Sequence, residues 1–141
     1  LTGVDVPASR SVRETGVQPQ VLIDAEAGIA ELVARAVEAL RHHHRLIGVV
    51  APDGWHERIT DALARYGRST VDHVQLLADG EIAMFSPEAV KGLEFDGVVV
   101  AAPHEILDGT PRGARLLYDA MTRAVQELYL VSDRSLPPPL G

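Results

Sequence analysis

The sequence predicts an α/β domain with a mainly parallel sheet flanked by helices, and three observations carry that prediction. Short apolar runs alternate along the chain with segments whose apolar residues recur at helical spacing. The strongest run, Gly97-Val98-Val99-Val100-Ala101-Ala102, is apolar throughout rather than at every second position, the pattern of a strand buried on both faces. Gly, Pro, Asp and Thr punctuate the runs where strands and helices exchange.

Residues 1–19 mix Gly, Pro, Ser and single charges without a sustained period and read as an extended segment leading into the domain. Gln20-Val21-Leu22-Ile23 is a first strand. Asp24 follows as a helix cap for Ile29, Leu32, Val33, Ala36, Val37 and Leu40 at helical spacing. Residues 46–51 form a second, buried strand; Pro52-Asp53-Gly54 then opens a helix with Ile59, Ala62 and Leu63 on one face, ended by Gly67. Residues 73–77 and 81–85 read as two short strands around the turn Ala78-Asp79-Gly80, and Ser86-Pro87-Glu88 as a turn of helix. After the buried strand at 97–102, Thr110 caps and Pro111 starts a long helix to about Gln126, and residues 128–131 close the sheet. Three prolines in the tail 135–141 argue against regular packing, so the domain proper spans 20–134 and the tail is expected to be disordered.

The length of 141 residues suits one domain, and 46% hydrophobic against 23% charged residues supports a real core. The net charge of −7 argues against a generic basic binder of nucleic acid or membrane surface. With no cysteine there is no disulfide scaffold, thiolate metal site or cysteine nucleophile. The sequence offers neither a membrane-spanning run nor a signal-peptide plan, so a cytoplasmic home without a membrane partner is expected; the missing initial Met suggests a piece of something longer.

Because ligands of open α/β sheets sit beyond the carboxyl ends of strands, polar residues at strand ends are the first suspects. Lys91-Gly92-Leu93-Glu94-Phe95-Asp96 sets a glycine among charges just before the most buried strand, where a backbone can approach a ligand closely and an acid can accept from a ribose hydroxyl; the plainer alternative is a tight, solvated turn. Tyr118-Asp119-Ala120-Met121-Thr122-Arg123-Ala124 lies in the long helix, and with Arg112 and Arg115 it makes a basic surface on an acidic domain. Arginine suits forked recognition of phosphate, although a helix arginine often serves only solubility. The consecutive His42, His43 and His44 read as a solvated helix end, not as metal ligands. Trp55 and His56 read as packing and surface, and His104-Glu105 as a cap or a neighbour of the ligand corner.

Taken in order, the two clusters resemble motifs V and VI of the second RecA-like domain of superfamily 1 helicases of the UvrD/Rep type. Lys91-Gly92-Leu93-Glu94-Phe95, leading into an apolar strand, is similar to motif V; Tyr118-Asp119-Ala120-Met121-Thr122-Arg123-Ala124, with Leu128-Tyr129-Leu130 after it, is similar to motif VI. The resemblance implies a three-layer RecA-like domain that completes an ATP site against the first RecA-like domain of the same protein. It implies Arg123 as an arginine finger on the γ-phosphate, Gly92 and Glu94 beside the phosphates and ribose, and Lys91 and Thr122 supporting that corner or relaying to the nucleic-acid side.

No G-x-x-x-x-G-K-[ST] loop occurs, so the phosphate loop and magnesium ligands are expected on the other domain, and this chain alone is expected not to hydrolyse ATP. The Asn-Tyr-Arg motif of the family has no match, and Arg10 and Arg13 are given no catalytic role. Ser86 and Glu88 stand where UvrD-type enzymes hold DNA with threonine and histidine; Ser86 is the candidate DNA contact, while Glu88 would repel a phosphate backbone. The single turn between Leu77 and Ile82 leaves no room for the accessory domain that UvrD and Rep insert there. These departures, with Val98-Val99-Val100 and the opening residues 7–16, resemble the helicase IV/HelD branch, whose HelD members act on RNA polymerase. The resemblance therefore implies an ATP-dependent DNA helicase or translocase as the full-length parent, with DNA as partner. The alternatives are a HelD-like factor that recycles RNA polymerase and a non-catalytic interaction domain that retains the motifs.

Overall fold

A computed structural model describes residues 17–72 and 81–136. The expectations for 1–16, for the strand and turn at 73–80 and for 137–141 lie outside the described residues. Six strands, β1 (Pro19–Ile23), β2 (Ile47–Val50), β3 (Thr70–Val71), β4 (Ile82–Phe85), β5 (Phe95–Ala101) and β6 (Ala124–Ser132), form one sheet in the order β1-β6-β5-β2-β4-β3. Every pairing is parallel. The helices are α1 (Ile29–Arg41), α2 (His56–Ala64), α3 (Pro103–Ile106) and α4 (Pro111–Met121). The predicted α/β class with a mainly parallel sheet is the observed one.

Two apolar layers sandwich the sheet. Ile29, Val33, Val37 and Leu40 of α1 and Ile59 and Leu63 of α2 pack on Val49, Met84 and Val99 on one face. Leu117, Ala120 and Met121 of α4 pack on Val50, Val98, Leu128 and Leu130 on the other. The strands step one way along the sheet from β1 to β2 to β3, with α1 and α2 on one face, and step back from β4 through β5 to β6, with α4 between the last two on the other. Opposite directions need opposite faces when crossovers keep one hand.

Local chemistry moves several predicted boundaries. Asp24 does not cap α1: its Oδ1 accepts from the amides of Glu26 (3.0 Å) and Ala27 (3.2 Å) in a separate turn, and Gly28 precedes the helix with φ 84°. Thr110 does cap α4, its hydroxyl accepting from the Gly113 amide at 3.0 Å with Pro111 at the first position. α4 ends at Met121, not Gln126. The Thr122 hydroxyl bonds back to the carbonyls of Tyr118 (3.0 Å) and Asp119 (3.1 Å), and Ala124 already belongs to β6. Leu136, in the predicted loose tail, is buried in the α4-side layer.

A bulge between Phe95 and Gly97 resets the alternation of β5 and sends the Phe95 ring to the α4 side, whereas Gly97 faces Leu40 of α1. Between α1 and the segment after α2, Arg68 grips Glu38 through Nε–Oε2 (2.7 Å) and Nη2–Oε1 (3.1 Å). The guanidinium holds the Glu38 carboxyl below its ordinary value of 4.5. The unfolded chain therefore takes up that proton at a higher pH than the folded one, so the stabilisation is full above about 4.5 and is lost as pH falls from there through the lower folded-state value. With the two side chains 25% and 30% exposed, the pair contributes about 1 kcal/mol at most. Glu38→Gln is expected to lower the thermal midpoint near neutral pH and to converge with the parent chain as pH drops below that range. A deficit of constant size across the titration would contradict this account.

Candidate functional site

A parallel sheet has one amino edge and one carboxyl edge, and the predicted site residues divide between them. Lys91, Gly92, Leu93 and Glu94 form the turn before β5, and Thr122 and Arg123 the link before β6, so both clusters lie at the amino edge. The expectation of ligand groups at the carboxyl ends is corrected: each motif precedes its strand instead of following it.

At that edge the two clusters touch. The Arg123 Nη1 donates to the Leu93 carbonyl at 3.2 Å, and the Phe95 amide donates to the Arg123 carbonyl at 3.0 Å. Arg123 Nε donates to the Asp119 carbonyl (2.9 Å) and Nη2 to the Thr122 hydroxyl (3.3 Å). The guanidinium is thus half-buried among carbonyl and hydroxyl oxygens, with no carboxylate among its partners in the described residues.

Gly92 has φ 86°, a left-handed backbone that L side chains resist, and a Cβ there would meet no atom within 4 Å. In this chain its glycine is needed for conformation, not for close packing. The conformation shapes the turn that presents the Leu93 carbonyl to Arg123. Lys91 and Glu94 are exposed, and their side chains make no hydrogen bond or ion pair among the described residues. The sequence located these residues but could not reveal the carbonyls of Leu93 and Asp119 as partners, since every residue carries one; Gly92 before Leu93 was the available hint.

The other candidates lie elsewhere. Ser86 follows β4 at the carboxyl edge, beside a cleft lined by Asp53, Pro87, Glu88, Glu105 and Arg112. Arg112 Nη2 lies 3.5 Å from Glu88 Oε2 there. The predicted basic corner of Arg112, Arg115 and Arg123 is therefore not one corner: the length of α4, about 16 Å at 1.5 Å per residue, separates its first arginine from Arg123. His104 is also at the carboxyl edge, with Nδ1 3.2 Å from the Ser132 hydroxyl, and is no neighbour of Arg123. His42 and His43 are exposed as expected, but His44 turns inward to Glu127 (Nε2–Oε1 2.9 Å), which Gln20 also reaches at 2.8 Å. Trp55 packs against the core and donates to Glu105 at 3.2 Å, with the Arg58 guanidinium 3.9 Å above its ring. Among the described residues no group of three or more His, Asp or Glu side chains could hold a metal ion, and no helix is long and apolar enough to cross a membrane.

The all-parallel sheet layered by helices, with an arginine before its last strand braced by the turn before the preceding one, defines a RecA-like domain. A family model of the UvrD-like helicase C-terminal domain matches residues 84–131, which hold both clusters. The C-terminal domain of a possible DNA helicase from Lactobacillus plantarum WCFS1 is 30% identical with a TM-score of 0.64, over 92% of this chain and 83% of that one. The chain belongs to the UvrD-like helicase C-terminal domain family. The arterivirus nonstructural protein 10 helicase, solved with DNA, matches 100% of this chain and 35% of its own at 15% identity with a TM-score of 0.48, too distant to bear on function. No curated protein matches the chain.

Proposed function

We propose that this chain is the second motor domain of an ATP-dependent DNA helicase or translocase, and that its amino edge completes an ATP site formed with the first RecA-like domain of the same protein. The observation that carries the reading is the meeting of Arg123 with the 91–94 turn, in a chain of this family. Arg123 stabilises charge that develops on the transferring γ-phosphoryl group. Gly92 and Glu94 stand beside the phosphates and ribose, and Lys91 adds positive charge at the rim. Around Arg123 the turn offers one carboxylate, Glu94, flanked by cations, a donor set that does not suit magnesium; the ion is assigned to the other domain and its nucleotide. The nucleic-acid side is the opposite, carboxyl edge, where Ser86 lies, so ATP and DNA act on separate edges of one rigid sheet.

One observation favours a second reading, the HelD-like factor acting on RNA polymerase. Asp53, Glu88, Glu105 and Asp108 gather at the carboxyl edge with Arg112 as the cation among them, a poor surface for a phosphate backbone. Full-length protein carrying this chain is to be assayed on a tailed duplex and on a stalled polymerase complex. ATP-driven strand separation without polymerase supports the helicase; release of polymerase without strand separation supports the second reading. The isolated chain is expected to bind ATP poorly and to hydrolyse none. Micromolar binding by calorimetry would overturn the shared-site model.

A further inference from the structure

The inference deepens the reading of Arg123 and rests on it. A guanidinium carries five N–H groups. In Arg123 three of them are used inside the chain: Nε–H by the Asp119 carbonyl, one Nη1–H by the Leu93 carbonyl and one Nη2–H by the Thr122 hydroxyl. One N–H on each terminal nitrogen has no partner among the described residues, which is the complement needed to grasp two oxygens of a single phosphate.

Thr122 is where the chain departs from an ordinary helix end. A threonine hydroxyl that bonds back to the preceding turn is common and by itself only terminates a helix. Here the proton of that hydroxyl goes to the Tyr118 or Asp119 carbonyl, at 3.0 and 3.1 Å, and the same oxygen accepts from Arg123 at 3.3 Å. Its back-bond fixes the rotamer, so its lone pair is held in place for the arginine. An unrestrained arginine side chain would lose substantial rotamer freedom on meeting a ligand, and that ordering would fall on the transition state.

We propose that Thr122 is a positioning residue: with the Leu93 carbonyl it holds the Arg123 guanidinium pre-ordered, leaving two N–H groups for the nucleotide, and it does not contact the nucleotide itself. Thr122→Val removes the hydroxyl with little change of shape, and Thr122→Ser keeps it. In the full-length ATPase, Thr122→Val is expected to lower kcat roughly tenfold, the loss of about one hydrogen bond to a charged group, with KM for ATP within about twofold. Thr122→Ser is expected to recover most of the rate. On an Arg123→Ala background, Thr122→Val is expected to change nothing further. In the chain by itself, the Arg123 Nε–H signal in NMR is expected to exchange with water faster in Thr122→Val than in Thr122→Ser, the backbone spectrum reporting that both variants fold.

The proposal is overturned if Thr122→Val leaves kcat unaltered while Arg123→Ala lowers it, or if it lowers kcat equally on both backgrounds, the mark of a purely structural role. It is likewise overturned if the Nε–H exchange is the same in both Thr122 variants, or if Thr122→Val raises KM alone, which would make Thr122 a nucleotide contact. An unchanged kcat in Arg123→Ala would remove the arginine-finger reading first, and this proposal with it.

Discussion

Replacing Arg123 by alanine in the full-length ATPase is expected to lower kcat about 10³-fold, the scale at which arginine fingers act in phosphoryl transfer. The magnitude follows from where the charge develops: the phosphoryl oxygens gain negative charge toward the transition state, and a fixed cation in a site that excludes water stabilises that change without reorganising. KM for ATP is expected to move far less, because the phosphate loop and magnesium ligands that bind the ground state are assigned to the other domain. Arg123→Lys separates charge from shape. A lysine can supply the cation but lacks a planar fork to reach Leu93, Asp119 and the nucleotide together, so most of the loss is expected to remain. Steady-state ATPase assays on the two variants check this, and a kcat within a few-fold of the parent in Arg123→Ala would sink the assignment.

The second large effect is on stability. Phe95→Ala is expected to destabilise the domain by about 3–5 kcal/mol, the range for a large buried aromatic side chain, and to lower its unfolding midpoint by roughly 10 °C or more. Phe95 is 1% exposed, its ring centroid lies 6.1 Å from that of Phe85, and it covers Gly48 so closely that a Cβ there would sit 2.8 Å from the ring. Gly48→Ala in the parent chain is therefore expected to be destabilising by overpacking. In a Phe95→Ala background the same methyl group enters the space the ring has left, and its penalty is expected to shrink or change sign. Chemical denaturation of the two single variants and the double variant measures the coupling; additive effects would mean that the ring does not set the packing over Gly48.

The aromatic residue also links fold to site. Its amide bonds the Arg123 carbonyl, and its ring closes the core directly beneath the 91–94 turn. A fraction of the activity lost in Phe95 variants is expected to return at low temperature, where the folded population recovers, whereas none returns in Arg123→Ala.

The alternation of strands and helices was legible because burial on both faces leaves a plain mark: Val98-Val99-Val100 and Ile47-Gly48-Val49-Val50 could hardly be anything else. Element ends were less legible, since Ala124 continues the helical spacing of Leu117 and Met121 although Thr122 has already ended α4. Asp24 misled for a related reason: an aspartate that accepts from amides two and three residues on satisfies the same chemistry in a turn as in a cap. The identities of the site residues came from the motifs, but their edge of the sheet did not. Which end of a strand a residue occupies depends on strand boundaries, and grouping Arg112 with Arg123 ignored the length of the helix between them. The brace between Leu93 and Arg123 had no signal of its own, because a backbone carbonyl is indifferent to the residue that bears it.

The pairing of β1 with β6 places Gln20 against Glu127, 107 positions apart in the chain. Among the described residues β1 has no other neighbour in the sheet, so during synthesis β1 lacks this partner until β6 has left the ribosome. Pairings this distant in sequence are slow to form and are reached late. The Val21 and Ile23 side chains, 38% and 46% exposed even when folded, are more open still in that interval. Truncations that stop short of residue 132 are therefore expected to leave β1 unpaired and to collect in the insoluble fraction, and soluble, folded protein from such a truncation would contradict this.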